Sequence, residues 1–452
     1  MTEIHDYISR KQDEIKAVLA ELVKIPSVLG NPSDGAPFGE EPKRVLEKML
    51  RICEESGFKT GCCDGAIGFA QLGDKAELGI LCHLDVVPAN GKGWKTDPFT
   101  LTEKDGVLYG RGVIDDKGPA VAALFAMKCV KELGFPLKKG VRLIFGTDEE
   151  NGSEDLDFYL KHENFPPMVF TPDAGFPIIN IEKGMARSRF FGRINGGALA
   201  SFHGGLIPNA VPDSAECELR GISREKVSAA IKKDGSGARF SLTENGDIIT
   251  ISCEGKPAHA STPESGVNAV TALISLLNRV IDNATLAGLE KLFPFGETDG
   301  KSAGLSCSDE HGALTAVFSI FNFDGKTCDG VVDVRFPCCK NLAFVDETER
   351  AAFAELNLEY ERFMGDEPHI VPEDSDFIRA LLSVYEEVEG ERGYCRAIGG
   401  GTYVHNIAGG VAFGAERGDT DYNMHADNEF ITVDELLRDA ELFAEVIKKI
   451  CC

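Results

Sequence analysis

"GILCHLDVVP", residues 79–88, is an apolar run broken near its end by an imidazole and a carboxylate. On a strand, residues i and i+2 share a face, so His83 and Asp85 project together while Leu84 points the other way. Such a strand end carries chemistry only if partners converge on it, because an isolated H-x-D is weak evidence.

Partners recur along the chain. "YGRGVIDDKGPAVAAL" (109–124) brings Asp115 and Asp116 into the start of a helix, with Gly110 and Gly112 allowing a tight backbone path. One aspartate suffices for an N-cap, so the doublet asks for a second role. "LIFGTDEENGSED" (143–155) is an apolar strand ending in Asp148, Glu149 and Glu150, and "FTPDAGFP" (170–177) is another ending in Asp173. Adjacent carboxylates at a strand end repel one another unless a cation or a proton separates their roles. In open α/β sheets ligands sit outside the carboxyl ends of the strands. His425, in "DYNMHADNEFITVDELL" (421–437), is a late addition to this set.

The intervening pattern is that of an α/β fold. Residues 3–25 and 40–57 have helical spacing, and "GFAQLG" (68–73), "LGILCHLD" (78–85), "VRLIFGTDEE" (141–150) and "MVFTPDAG" (168–175) read as strands, with a helix over 117–134. This alternation predicts a mostly parallel mixed sheet flanked by helices. After Gly184 the segments alternate like half-exposed antiparallel strands ("RSRFFGRI", "DSAECELRG", "DIITISCEG", "HGALTAVFSI"), with helices at 223–233, 266–282 and 348–363. An inserted α+β domain is expected over 184–373, interrupting a domain made of 1–183 and 374–452.

With 452 residues and 43% hydrophobic composition, the chain is too long for one ordinary core. A formal charge of -26 leaves no basic stripe for polyanions, so nucleic acid is excluded as a partner. No apolar run is long enough to span a membrane, and the acidic start "MTEIHDYISRKQDEIKAVLAEL" lacks the features of a secretory signal. A cytoplasmic location is expected. The fourteen cysteines, single or vicinal, show no disulfide or ribbon spacing and read as reduced thiols.

Together H-x-D, G-R-G-x-x-D-D-K-G, T-x-D-E-E-x-G, P-D and a late His before an N-E pair resemble the M20 family of dinuclear metallopeptidases, and within it the PepV-type dipeptidases. The resemblance implies two divalent ions, bridged by Asp115. His83 and Asp173 complete one site, Glu150 and His425 the other. Zinc suits these nitrogen and oxygen ligands best, with manganese or cobalt compatible. It also implies that Asp85 orients His83 through its other ring nitrogen, that Glu149 is the general base taking a proton from metal-bridging water to give the attacking metal-bridged hydroxide, and that a cis peptide follows Asp115. His259, in "GKPAHASTPESGVNA", would stabilise the oxyanion. Asn209 and Arg335 would contact the substrate's C-terminal carboxylate or the intermediate, although Arg335 reads equally as a strand-surface ion pair. Gly401 and Thr402, in "AIGGGTYVHN", would hold a carboxylate through backbone N–H groups, and a phosphate loop is rejected for want of a following G-K-[ST].

The implied reaction is hydrolysis of unblocked dipeptides. The resemblance also implies a small peptide as the only partner, and it makes 184–373 an inserted lid domain over a catalytic domain of 1–183 and 374–452, long enough to cover the site within one chain, which favours a monomer. N-acyl amino acid deacylation uses the same catalytic set and is the alternative. A non-catalytic metal-binding protein is disfavoured by the complete ligand set. "GAERGDTDYNMHADNE" (414–429) departs from better-known members in its acidic, asparagine-rich approach to His425. The remaining histidines, His5, His162, His203, His311, His369 and His405, match no motif.

Overall fold

The computed structural model describes residues 2–418 and 420–452. The chain forms two compact units. The first contains the segments up to Asn180, Ile370–Arg396 and Gly401–Cys452, and the second contains Ile181–His369 with Ala397–Gly400. The glycine-rich turn at 399–402 is thus divided between them.

In the first unit β1 (Lys59–Cys63), β2 (Ile67–Leu72), β3 (Ala76–His83), β4 (Gly140–Gly146) and β5 (Met168–Thr171) lie in the spatial order β1-β2-β4-β3-β5, followed by the strand Gly410–Ala412. β1, β2 and β4 pair antiparallel, whereas β4, β3, β5 and Gly410–Ala412 run parallel. The register places His83 opposite Gly146, so β3 and β4 end at the same level. The four parallel strands therefore deliver their following loops, at 84–86, 147–151, 172–173 and 413–425, to one edge of the sheet, where a ligand site belongs.

The helix Lys117–Glu132 begins directly after the Asp115-Asp116 doublet and is buried from Lys117 through Val130. Its small residues let it pack closely against β3 and the C-terminal helix Val433–Cys451, which starts in a capping box of Thr432 and Glu435. The amino-terminal helical pattern is interrupted at Lys11, whose N–H reaches both Tyr7 and Ile8 carbonyls in a tight turn, giving helices Glu3–Arg10 and Gln12–Val23. Among the described residues no helix is long and apolar enough to cross a membrane.

The second unit is built on an antiparallel sheet. Its strands are β6 (Gly184–Arg193), β7 (Leu199–Gly204), β8 (Ser214–Arg220), β9 (Arg239–Asn245), β10 (Ile248–Glu254), β11 (Thr315–Phe323), β12 (Thr327–Phe336) and β13 (Glu359–Asp366), in the order β9-β10-β8-β7-β11-β12-β6-β13. One face carries the core, which includes Phe190, Phe202, Phe318, Phe321 and Val332; the helix Ala269–Asn278 packs on β8, β10 and β11, and Phe190 stacks on Phe353 of the helix Leu342–Glu355 at 4.4 Å between ring centroids. The expected helix over 348–363 is corrected here. The helix runs Leu342–Glu355, Asn357 takes a positive φ of 57°, and "EYERFMGD" pairs with β6 as edge strand β13. Asparagine tolerates the left-handed turn that ends the helix, and the residues beyond it follow a period of two.

Phe125 is fully buried in the helix Lys117–Glu132. Phe125→Ala should lower unfolding stability by about 3–5 kcal/mol, against about 1 for Phe125→Leu, as measured by denaturant titration.

Candidate metal centre

Two groups of three metal-ligating side chains form at the parallel strand ends. His83, Glu149 and Asp173 make one; Asp115, Glu150 and His425 make the other, with the donor atoms of each group within 4.8 Å of one another. The Asp115 carboxylate reaches both: Oδ1 lies 3.0 Å from His83 Nε2 and Oδ2 lies 2.9 Å from His425 Nε2. His83 Nε2 is also 3.5 Å from Asp173 Oδ2, and His425 Nε2 is 3.2 Å from Glu150 Oε2.

The electrostatics are those of a site short of positive charge. Burial pushes Asp115 up, yet the flanking imidazoles pull it well below the usual carboxylate range. Glu149 is driven well above its ordinary value by burial and then by the charges of Asp173, Asp115 and Glu150. His425, hydrogen-bonded by Asp115 and Glu150, rises to about 11, and Asp115 and Asp173 carry His83 upward against its burial. Two buried donor atoms, His83 Nε2 and Glu150 Oε1, have no hydrogen-bond partner. Four carboxylates, two imidazoles and orphaned donor atoms fit a pair of divalent cations, which would replace protons as the neutralising charge.

Surrounding groups hold these side chains in place. His83 Nδ1 lies 3.1 Å from the Asp85 backbone carbonyl and 3.4 Å from Asp85 Oδ1. Asp85 thus meets His83 at its other ring nitrogen, through the carbonyl as well as the carboxylate. The carbonyl makes the hydrogen bond to His83, while the carboxylate oxygens accept from the N–H groups of Glu149, at 3.2 Å, and Glu150, at 3.1 Å. Asp85 thus ties the end of β3 to the acidic turn after β4. Asp116 makes no side-chain cap; its Oδ2 accepts from His83 N at 3.0 Å, which accounts for the second acid of the doublet. The Asp115-Asp116 peptide is cis.

Glu429 has a larger part than its place in an N-E pair suggested. Fully buried, it accepts from Arg111 Nη1 at 2.6 Å, from Gly112 N and Ile114 N, and from Asp115 N at 3.4 Å. Arg111 in turn donates to Ala426 O. The loop carrying Asp115 is thereby bonded to the loop carrying His425. The departure noted at 414–429 has a conformational cause: Asn423, His425 and Asn428 all have positive φ, and Asn428 bonds both Lys95 N and Gly93 O. Tyr403, just after Gly401 and Thr402, donates to Asp155 Oδ2 at 2.6 Å and sets its ring edge-on to His83.

The second unit places Asn209, His259 and Arg335 on the sheet face opposite its core. Ala210 pairs with His259, Asn209 O accepts from Ala260 N, and Ala260 O accepts from Thr315, the register partner of Arg335. His259 Nδ1 lies 3.2 Å from Ser261 N and 2.7 Å from Ser261 Oγ. A backbone N–H can only donate, so Nδ1 accepts and the proton of the neutral ring sits on Nε2. Desolvation, then the Arg335 charge, lowers His259 below its ordinary pKa. Arg335 is bound to Asp333 through Nε at 2.6 Å and Nη2 at 3.1 Å.

The sequence model of peptidase family M20/M25/M40 matches residues 79–449. The chain is 35% identical over 462 residues to the Beta-Ala-Xaa dipeptidase of Lactobacillus delbrueckii subsp. lactis, covering 97% of this chain and 96% of the relative. Among solved structures it is similar to human carnosine dipeptidase 1, with a TM-score of 0.61 at 18% identity, covering 99% and 98% of the two chains. It is also similar to the Bacillus subtilis YxeP protein, a dinuclear metal-binding peptidase, with a TM-score of 0.51 at 12% identity, covering 98% and 99%. The chain belongs to peptidase family M20/M25/M40 and is a metallopeptidase.

Metal must displace the protons that the carboxylates hold on His425 and His83. Zinc or manganese binding should therefore release protons at pH 7.5, seen as a buffer-dependent heat in titration calorimetry, and weaken at least tenfold between pH 8 and pH 6. Saturating metal at about 100 times its Kd should add about 2.7 kcal/mol of stability per bound ion by thermal denaturation, reversed by chelator.

Proposed function

We propose that the protein is a dinuclear metal-dependent dipeptidase that cleaves the peptide bond of unblocked dipeptides. The observation that carries this reading is the Asp115 carboxylate shared by two opposed imidazoles, each backed by a further acid. His83, Asp115 and Asp173 would hold one ion and Asp115, Glu150 and His425 the other, zinc suiting the donors best. Bound there, the ions would lower the pKa of a water molecule and polarise the scissile carbonyl.

The remaining work falls to the chain. Glu149, next to Asp173 and Asp115 in the electrostatics of the site, takes the proton from the attacking water and returns it to the leaving amine. Its high proton affinity in the absence of cations would fall once positive charge is present, which favours the unprotonated base. His259 offers its Nε2–H as donor to the developing oxyanion. We assign Asn209, Arg335, Gly401 and Thr402 to the substrate's carboxylate end. The reading of a free dipeptide over an N-acyl amino acid is supported by similarity to a dipeptidase at 35% identity.

Glu149→Gln should reduce kcat by about 100- to 10,000-fold while the protein still binds two metal ions per chain by elemental analysis. Comparing a free dipeptide with its N-acetyl form tests the substrate class: faster turnover of the free form is expected, and preference for the acetylated one overturns the reading.

A further inference from the structure

The face of the second unit that carries Arg335 holds another arginine, to which no role has been given. Arg187 on β6 lies directly across from Asp333 on β12, and Arg335 is two residues further along β12 on the same face. Asp333, fully buried, binds both: Oδ2 takes Arg187 Nε at 2.9 Å, while Oδ1 and Oδ2 take Arg335 Nε and Nη2. Two guanidinium groups thus share one carboxylate, and the trio keeps an excess of one positive charge. In a chain of net charge -26 that excess is local and specific.

The two arginines are not equivalent. Arg335 is 3% exposed and each of its guanidinium nitrogens has a partner, Nη1 reaching Gly399 O at 3.4 Å. The Arg187 side chain is 18% exposed, and beyond Asp333 its contact is Nη1 against the weakly accepting sulfur of Met364 at 3.1 Å. Asp333 therefore aims both cations: Arg187 is the more exposed and keeps the larger donor capacity for an incoming anion, while Arg335 keeps one N–H on each of Nη1 and Nη2. Ala260, next to His259, accepts from Thr315, the register partner of Arg335, so the pair lies on the face that carries the proposed oxyanion donor.

We propose that Arg187 is a specificity residue that makes the carboxylate-binding end of the site suited to two carboxylates, selecting dipeptides whose C-terminal residue is aspartate or glutamate. The assignment rests on the dipeptidase reading and on Arg335 as the cation for the α-carboxylate. Arg187 then pairs with the side-chain carboxylate, and its charge discriminates that carboxylate from an amide of the same shape.

The test compares kcat/KM of the metal-loaded enzyme for Ala-Glu and Ala-Gln, which differ only in that charge. At least tenfold preference for Ala-Glu is expected. Arg187→Gln should pull the ratio toward one, with the loss falling in KM, and Arg187→Lys should retain part of the preference. A purely structural ion pair would instead lower stability and affect both substrates alike. A wild-type ratio of one or below, or a ratio unchanged in Arg187→Gln, overturns the proposal. Should Arg187→Gln not fold, the wild-type ratio and Arg187→Lys decide. Hydrolysis of Ala-Gln without the preference defeats the specificity claim alone, whereas hydrolysis of neither dipeptide defeats the dipeptidase reading and the claim with it.

Discussion

Mutual repulsion among Asp115, Glu149, Glu150 and Asp173 is the constraint around which the first unit is arranged. Burying four carboxylates at one strand edge is costly unless cations or protons intervene. In the protein alone the two imidazoles and raised carboxyl groups supply that relief. The same arrangement leaves donor atoms of His83 and Glu150 without partners, which is the signature of a site that needs metal.

Holding such a cluster in register requires support from polar groups that never face a ligand themselves. Asp85 anchors the amides of Glu149 and Glu150, Asp116 anchors the amide of His83, and Glu429 anchors the loop that presents Asp115. Each is a buried acid whose acceptors are satisfied largely by backbone N–H groups, so the acids rigidify the loops without adding metal ligands. The parallel strands set where the loops begin; these acids set where their side chains arrive.

The second unit solves a similar problem with opposite sign. Asp333 is to its two arginines what the metal-binding acids are to their imidazoles, a buried charge that fixes the geometry of its neighbours. The neutral tautomer of His259, set by the amide of Ser261, adds a directed donor to the same face.

Much of the site was legible because it is local. Period-two and helical spacing located the strands that end at His83, Glu149 and Asp173, and the identity of those end residues announced their chemistry. Reading failed where a side chain's partner is distant in sequence. The target of the Asp85 carboxylate lies more than sixty residues away, that of Glu429 more than three hundred, and that of Arg187 is 146 residues on. Asn357 shows the same limit at the scale of backbone: helical spacing continued past it, yet a left-handed turn and pairing with β6 made a strand. The amino-acid order by itself determined which groups could bind metal and on which elements they sit, because strand and helix periodicity are local properties. Which carboxylates gather into candidate ligand groups, which anchor backbone amides, and which arginine is the more exposed was decided only by tertiary packing, since these depend on burial and long-range pairing.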